Sequence, residues 1–193
     1  MKTILLILVC SIVAVGCADC PSKASSGECL PANPALFQFS QENGLQGWVI
    51  QDDGVMGGLS KGRVSINEGG NAVFTGDISL ENNGGFSSMQ VGFDPVDVSA
   101  FRAIYLGLKG DGKRYQIRVE TEPGVRFGYA YDFETSGNWE VIRVPFRDMY
   151  AIRHGDRLDK PNYPGQQLAH IQILAGNKTE ESFELELDKI WLK

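Results

Sequence analysis

The run Phe183-Glu184-Leu185-Glu186-Leu187-Asp188 alternates apolar and acidic side chains without a break. Successive side chains of a strand leave by opposite faces, so this run offers one face to a core and the other to water. The same period returns in Tyr115, Ile117 and Val119 against Gln116, Arg118 and Glu120. It also returns in Ile104, Leu106 and Leu108, and in Phe127, Tyr129, Tyr131 and Phe133. Further strands are expected over 48–51, 63–67, 72–78, 87–93, 139–146 and 170–175, each bounded by Gly, Asn, Asp or Pro. About ten short strands with no amphipathic helix predict an all-β domain. A sheet that is apolar on one face needs a second sheet to cover it, which makes the fold class an antiparallel β-sandwich.

At 193 residues the chain has room for one such domain plus a leader. Its formal charge is -6, and Lys and Arg are scattered with no basic stripe, so nucleic acid is not an expected partner. Residues 1–16 carry Lys2 and then an apolar run from Ile4 to Val15, too short to span a bilayer and of the length of a signal peptide. Ala14-Val15-Gly16-Cys17 resembles a bacterial lipobox, in which Cys17 becomes the lipidated first residue; ordinary cleavage nearby is the alternative. Ala18 after Cys17 then favours the outer membrane, periplasmic side, within a bacterial cell envelope. Residues 17–35 read as a linker rich in Ser, Pro, Ala and Gly, and 36–193 as the single domain. Cys20 and Cys29 are expected to form a disulfide in an oxidising compartment, worth roughly 2–3 kcal/mol.

Gln51 to Gly62, QDDGVMGGLSKG, holds Gly54, Gly57, Gly58 and Gly62. So many glycines indicate a shaped loop, which either turns a corner between strands or serves as a recognition loop. In the second case Met56 and Leu59 supply apolar contacts, while Asp52, Asp53 and Ser60 supply polar ones. The spacing fits neither a phosphate loop nor a dinucleotide-binding turn, and no cofactor is expected. Gly110-Asp111-Gly112-Lys113 and Asn82-Asn83-Gly84-Gly85 both read as hairpin turns. Residues 154–167 lack a strand pattern and read as a long loop over one end or edge of the sandwich.

Catalytic patterns are missing from the sequence. Asp52 and Asp53 are adjacent, so on a strand they face apart and cannot share one substrate; turn or cap roles, partner contact and a calcium site are the open readings. Two histidines, His154 and His170, are too few for a His-rich zinc site, and no metal is expected. No nucleophile elbow occurs. An enzyme would require Asp53, Asp111, Arg114 and His154 to meet in one deep pocket. Trp48, Trp139 and Trp191 are either core or rim packing or platforms for sugar rings. Asn177-Lys178-Thr179 is a glycosylation sequon only in a eukaryotic source.

Taken together, several segments resemble the complex I intermediate-associated protein 30 family. They are Trp48, the run Asp53 to Ser60, Phe74-Thr75-Gly76, and Leu80-Glu81-Asn82-Asn83-Gly84-Gly85-Phe86-Ser87-Ser88. Gly110-Asp111-Gly112 with Tyr115, Trp139 before Val144-Pro145-Phe146, and Phe183 to Ile190 follow in the same order. The resemblance implies a galactose-binding-like jelly roll. It further implies a non-enzymatic, chaperone-like role in assembling respiratory complex I (NADH:ubiquinone oxidoreductase), as in the mitochondrial members. An export leader in place of a transit peptide sets this chain on the other side of a membrane from them.

The sequence therefore leads to a non-catalytic binding or assembly module, attached to the membrane through a lipid anchor only. Its expected protein-binding residues are Asp53, Val55, Met56, Gly57, Gly58 and Ser60, with Asn82, Asn83, Gly85 and Phe86 beside them. A carbohydrate-binding envelope lipoprotein is the alternative, with a glycan as ligand.

Overall fold

The computed structural model describes residues 35–193, with Val55 and Met56 described by their backbone alone. The signal peptide, Cys17, the linker to residue 34 and the Cys20–Cys29 pair lie outside the described residues. Within them, thirteen strands run in chain order: β1 (Ala35–Gln38), β2 (Val49–Asp52), β3 (Lys61–Ile66), β4 (Ala72–Ile78), β5 (Ser87–Asp97), β6 (Ala103–Lys109) and β7 (Arg114–Glu120). They continue as β8 (Gly128–Glu134), β9 (Trp139–Pro145), β10 (Tyr150–Arg153), β11 (Asp156–Arg157), β12 (Gln167–Ala175) and β13 (Glu181–Leu192). No helix among the described residues is long and apolar enough to cross a membrane.

Two antiparallel sheets face each other. The six-stranded sheet runs β3-β4-β13-β6-β9 with β1 also on β13, and the seven-stranded sheet runs β11-β10-β8-β7-β12-β5-β2. Between them lie the side chains that alternation marked as inward. Phe74, Leu106, Leu108, Leu185 and Leu187 come from one sheet, and Met89, Ile117, Val119, Ile171 and Ile173 from the other; all are fully buried. Tyr115 of β7 meets Phe183 of β13 edge-on across the gap, with ring centroids 6.4 Å apart. Such edge-to-face contacts add to simple area burial.

β13 keeps its period only as far as Leu187. The pairing with β6 slips between Leu187 and Lys189, a bulge that lets Leu187, Ile190 and Leu192 all reach the core. The carbonyl of Asp188, displaced by the bulge, accepts the N–H of Phe39 at 3.0 Å.

Both expected hairpins are corrected. Residues 110–113 join β6 in one sheet to β7 in the other, and 82–85 lie on the connection from β4 to β5, which also changes sheets. Asp-Gly and Asn-Gly signals report that the chain turns, but the turning chain here crosses the sandwich instead of pairing back. The tract 154–167 is not wholly strandless either, since Asp156–Arg157 adds a short edge strand to β10. The rest of that tract is pinned by Tyr163, buried 5.0 Å from the Phe146 ring and 5.1 Å from that of Tyr129.

Candidate functional site

Three crossings, β2 to β3, β4 to β5 and β6 to β7, lie at the same end of the sandwich, and an aspartate fastens each of them. After β2 the chain makes a single 3₁₀ turn, Asp53–Met56, which Gly57 ends in the left-handed region at φ 85°. An L side chain rarely adopts that backbone, so the turn calls for glycine there. Gly58 follows in close contact, and any Cβ on it would strike the Asp53 carboxylate.

The Asp53 side chain points inward and is 1 % exposed. Its Oδ1 accepts the Ser60 N–H at 3.2 Å, while Oδ2 accepts the Ser60 hydroxyl at 2.5 Å, the Gly85 N–H at 2.7 Å and the Phe86 N–H at 3.2 Å. Ser60 in turn accepts the Ser79 N–H at 3.0 Å. Burial alone would raise the Asp53 pKa. The donors from Ser60, Gly85 and Phe86 outweigh it and hold the carboxyl below its ordinary range.

Asp52 turns the other way, accepting Ser87 Oγ at 2.6 Å and the Gly62 N–H at 3.1 Å. The two neighbours therefore do not share a ligand. Asp111 fastens the third crossing, accepting Lys113 Nζ at 2.7 Å, the Tyr115 hydroxyl at 3.0 Å and the Glu184 N–H at 3.0 Å. Its burial too is outweighed, by Lys113, Glu184 and Tyr115 in turn, and its pKa is lowered.

Of the expected binding residues, the structure thus brings Asp53, Gly57, Gly58 and Ser60 together with Asn82, Asn83, Gly85 and Phe86. Asp53, Gly58 and Ser60 are buried and act as the fastening; Gly57, Asn82 and Asn83 are on the surface. Asn82 and Asn83 take positive φ of 55° and 62°, a conformation asparagine tolerates better than most side chains. The side chains of Val55 and Met56 lie outside the described residues. Leu59 and Leu80, one on each crossing, are 48 % and 41 % exposed.

Other candidates disperse. His154 sits exposed in the β10–β11 turn, away from Asp53, and neither it nor Asp53, Asp111 or Arg114 lines the cavities at Phe93–His170 and Leu36–Trp48. No group of three His, Cys, Asp or Glu among the described residues is arranged to hold a metal ion. Trp48 is buried against Phe37 and Phe39, at 5.1 and 5.6 Å between ring centroids. Trp191 stacks on Tyr105 at 5.5 Å on the outer face of the six-stranded sheet, and Trp139, on the edge strand β9 of that sheet, is 50 % exposed.

One surface escaped the sequence reading. On the outer face of the seven-stranded sheet four amides, Gln51, Gln90, Gln172 and Gln116, cluster with Ser88, Arg118 and Tyr150, among Val49, Leu174, Glu120 and Asp132. The signal was present as glutamine where an ordinary wet face carries Lys and Glu. Burial first and Asp132 second push the Tyr150 hydroxyl up to about 12, so it remains a donor.

The fold is a galactose-binding-like β-sandwich of the kind found in carbohydrate-binding modules. The model of the complex I intermediate-associated protein 30 family matches residues 37–187, and the chain belongs to that family. Among solved structures it is similar to a family 11 carbohydrate-binding module from Clostridium thermocellum, determined with a β-1,3-1,4-mixed-linked tetrasaccharide. That match has 16 % identity and a TM-score of 0.58, covering 83 % of this chain and 94 % of the module. A family 30 carbohydrate-binding module matches at 12 % identity and TM-score 0.52, over 82 % of this chain and 97 % of that one. An agarase matches over 83 % of this chain but 24 % of its own length, at 10 % identity and TM-score 0.57. Likeness at these identities concerns the fold. No curated protein sequence matches.

Proposed function

We propose that this protein is a non-catalytic binding module with a chaperone-like assembly role, held in the cell envelope by a lipid on Cys17. Membership of the complex I intermediate-associated protein 30 family supports the assembly role, and a respiratory-complex intermediate is the protein partner it suggests. The observation that carries the reading is the Asp53 carboxylate binding two crossings into one rigid ridge, with Leu59 and Leu80 left exposed upon it. A rigid scaffold that presents apolar side chains from loops loses little entropy on docking. Photocrosslinking from position 81, exposed beside Leu80, in native membranes and with residues 59 and 80 either left as Leu or changed to Asp, tests it. A partner captured by the wild type and lost in Leu59→Asp/Leu80→Asp, with the fold intact by circular dichroism, is the expected result. Equal capture by both proteins refutes it.

The second reading is carbohydrate binding, supported by the half-exposed Trp139, the Trp191–Tyr105 stack and the likeness to modules described as carbohydrate-binding. Retardation of the protein in gels containing soluble polysaccharide tests it.

A further inference from the structure

We propose that an uncharged oligosaccharide lies across the outer face of the seven-stranded sheet, hydrogen-bonded by Gln90, Gln172, Arg118, Gln116 and Tyr150. The inference rests on the carbohydrate reading above and moves the binding face away from the tryptophans.

Strand register sets these groups side by side. Gln90 of β5 is opposite Gln172 of β12, Gln172 opposite Arg118 of β7, Arg118 opposite Ala130 of β8, and Ala130 opposite Tyr150 of β10. Five strands at about 4.8 Å spacing make a row of roughly 20 Å, the length of a short oligosaccharide.

The side chains are pre-set by one another and still have capacity to spare. Gln90 Nε2 donates to Gln51 Oε1 at 2.7 Å and Gln172 Nε2 to Ser88 Oγ at 2.9 Å. Gln116 Nε2 donates to Asp132 at 2.9 Å and to Tyr150 Oη at 3.0 Å, and its Oε1 accepts Arg118 Nε at 2.5 Å. Among the described residues, nothing donates to Oε1 of Gln90 or Gln172, and nothing accepts from the two Nη groups of Arg118. Amide oxygens waiting for donors beside N–H groups waiting for acceptors match hydroxyls, which are both at once. A face held in place before binding loses little side-chain entropy when it binds.

Charge gives an anionic ligand no advantage. Arg118 and Arg157, the latter 4.7 Å over the Tyr150 ring, are matched by Glu120 two positions along from Arg118 and by Asp132 across from Gln116. A uronate or sulfate would find no net positive charge there to offset its desolvation. A peptide could not add to the sheet here, because the backbone groups of β12, β7 and β8 are already paired on both sides.

The test is a glycan array of neutral glucans, galactans, mannans and xylans with alginate and polygalacturonate as anionic probes, followed by titration calorimetry on the hit. Full-length protein is used, with variants Gln90→Ala/Gln172→Ala and Trp139→Ala. A neutral glycan should bind the wild type and weaken about tenfold or more in Gln90→Ala/Gln172→Ala, more than it does in Trp139→Ala. Loss in Trp139→Ala with retention in the glutamine variant overturns this face while leaving the carbohydrate reading standing. Binding of the anionic probes alone overturns the ligand class. No binding by any glycan overturns the carbohydrate reading and this inference together.

Discussion

The carboxylate of Asp53 accepts the main-chain N–H of Gly85 at 2.7 Å across a separation of 32 residues, and this bond joins two crossings of the sandwich. Asp53→Ala leaves the Gly85, Phe86 and Ser60 N–H groups without their acceptor in a buried place. The expected cost is about 3 kcal/mol, a fall of roughly 6–12 °C in Tm by calorimetry. Asp53→Asn, which turns a donor toward those N–H groups, should recover only part of it.

Gly58→Ala should destabilise the protein because its Cβ collides with the Asp53 carboxylate, while Gly54→Ala meets open space and has no positive φ. The pair is compared by urea unfolding. Gly58→Ala should lower the midpoint at unchanged slope, and Gly54→Ala should stay within about 0.5 kcal/mol of wild type.

Acid should unfold the protein partly through two aspartates. Asp53 and Asp111 have folded pKa values below the unfolded value of 3.8, so their stabilisation is complete above that value and disappears as pH falls through the depressed ones. Stability measured from pH 5 down to pH 2 should drop less steeply in Asp111→Asn than in wild type. His170 adds to the loss earlier in the titration. Burial first, against the pull of Glu120, lowers its pKa below 6.5, so its contribution is full above 6.5 and lessens as pH falls below it.

The three tryptophans should separate by stability. Trp48→Ala removes a ring packed between Phe37 and Phe39 and should cost about 3–5 kcal/mol. Trp139→Ala, half exposed on the edge strand β9, should cost less than about 1 kcal/mol by the same denaturant titration.

Strand positions were legible wherever a sheet has one dry face, because burial imposes period two on the sequence. β4 begins and ends where the sequence reading put it, at Ala72 and Ile78. The short strands Tyr150–Arg153 and Asp156–Arg157 were not legible, being too brief for a period to register. Nor was the membership of each strand in a sheet. Asp111-Gly112 announces a turn in either case, and whether β7 pairs with β6 depends on partners far along the chain. The resemblance set Asn82 to Phe86 beside the Asp53 loop, but that the Asp53 carboxylate itself joins them through the Gly85 and Phe86 N–H groups was hidden for the same reason. The row of glutamines was overlooked because alternation sorts residues into wet and dry and says nothing of which wet face has a use.

β13 is the neighbour that β1, β4 and β6 have in common. Until residue 192 has cleared the ribosome, Phe74 and Leu106 have no strand between them to lie against. Folding of this sheet therefore waits on β13, the last of the described strands to be made.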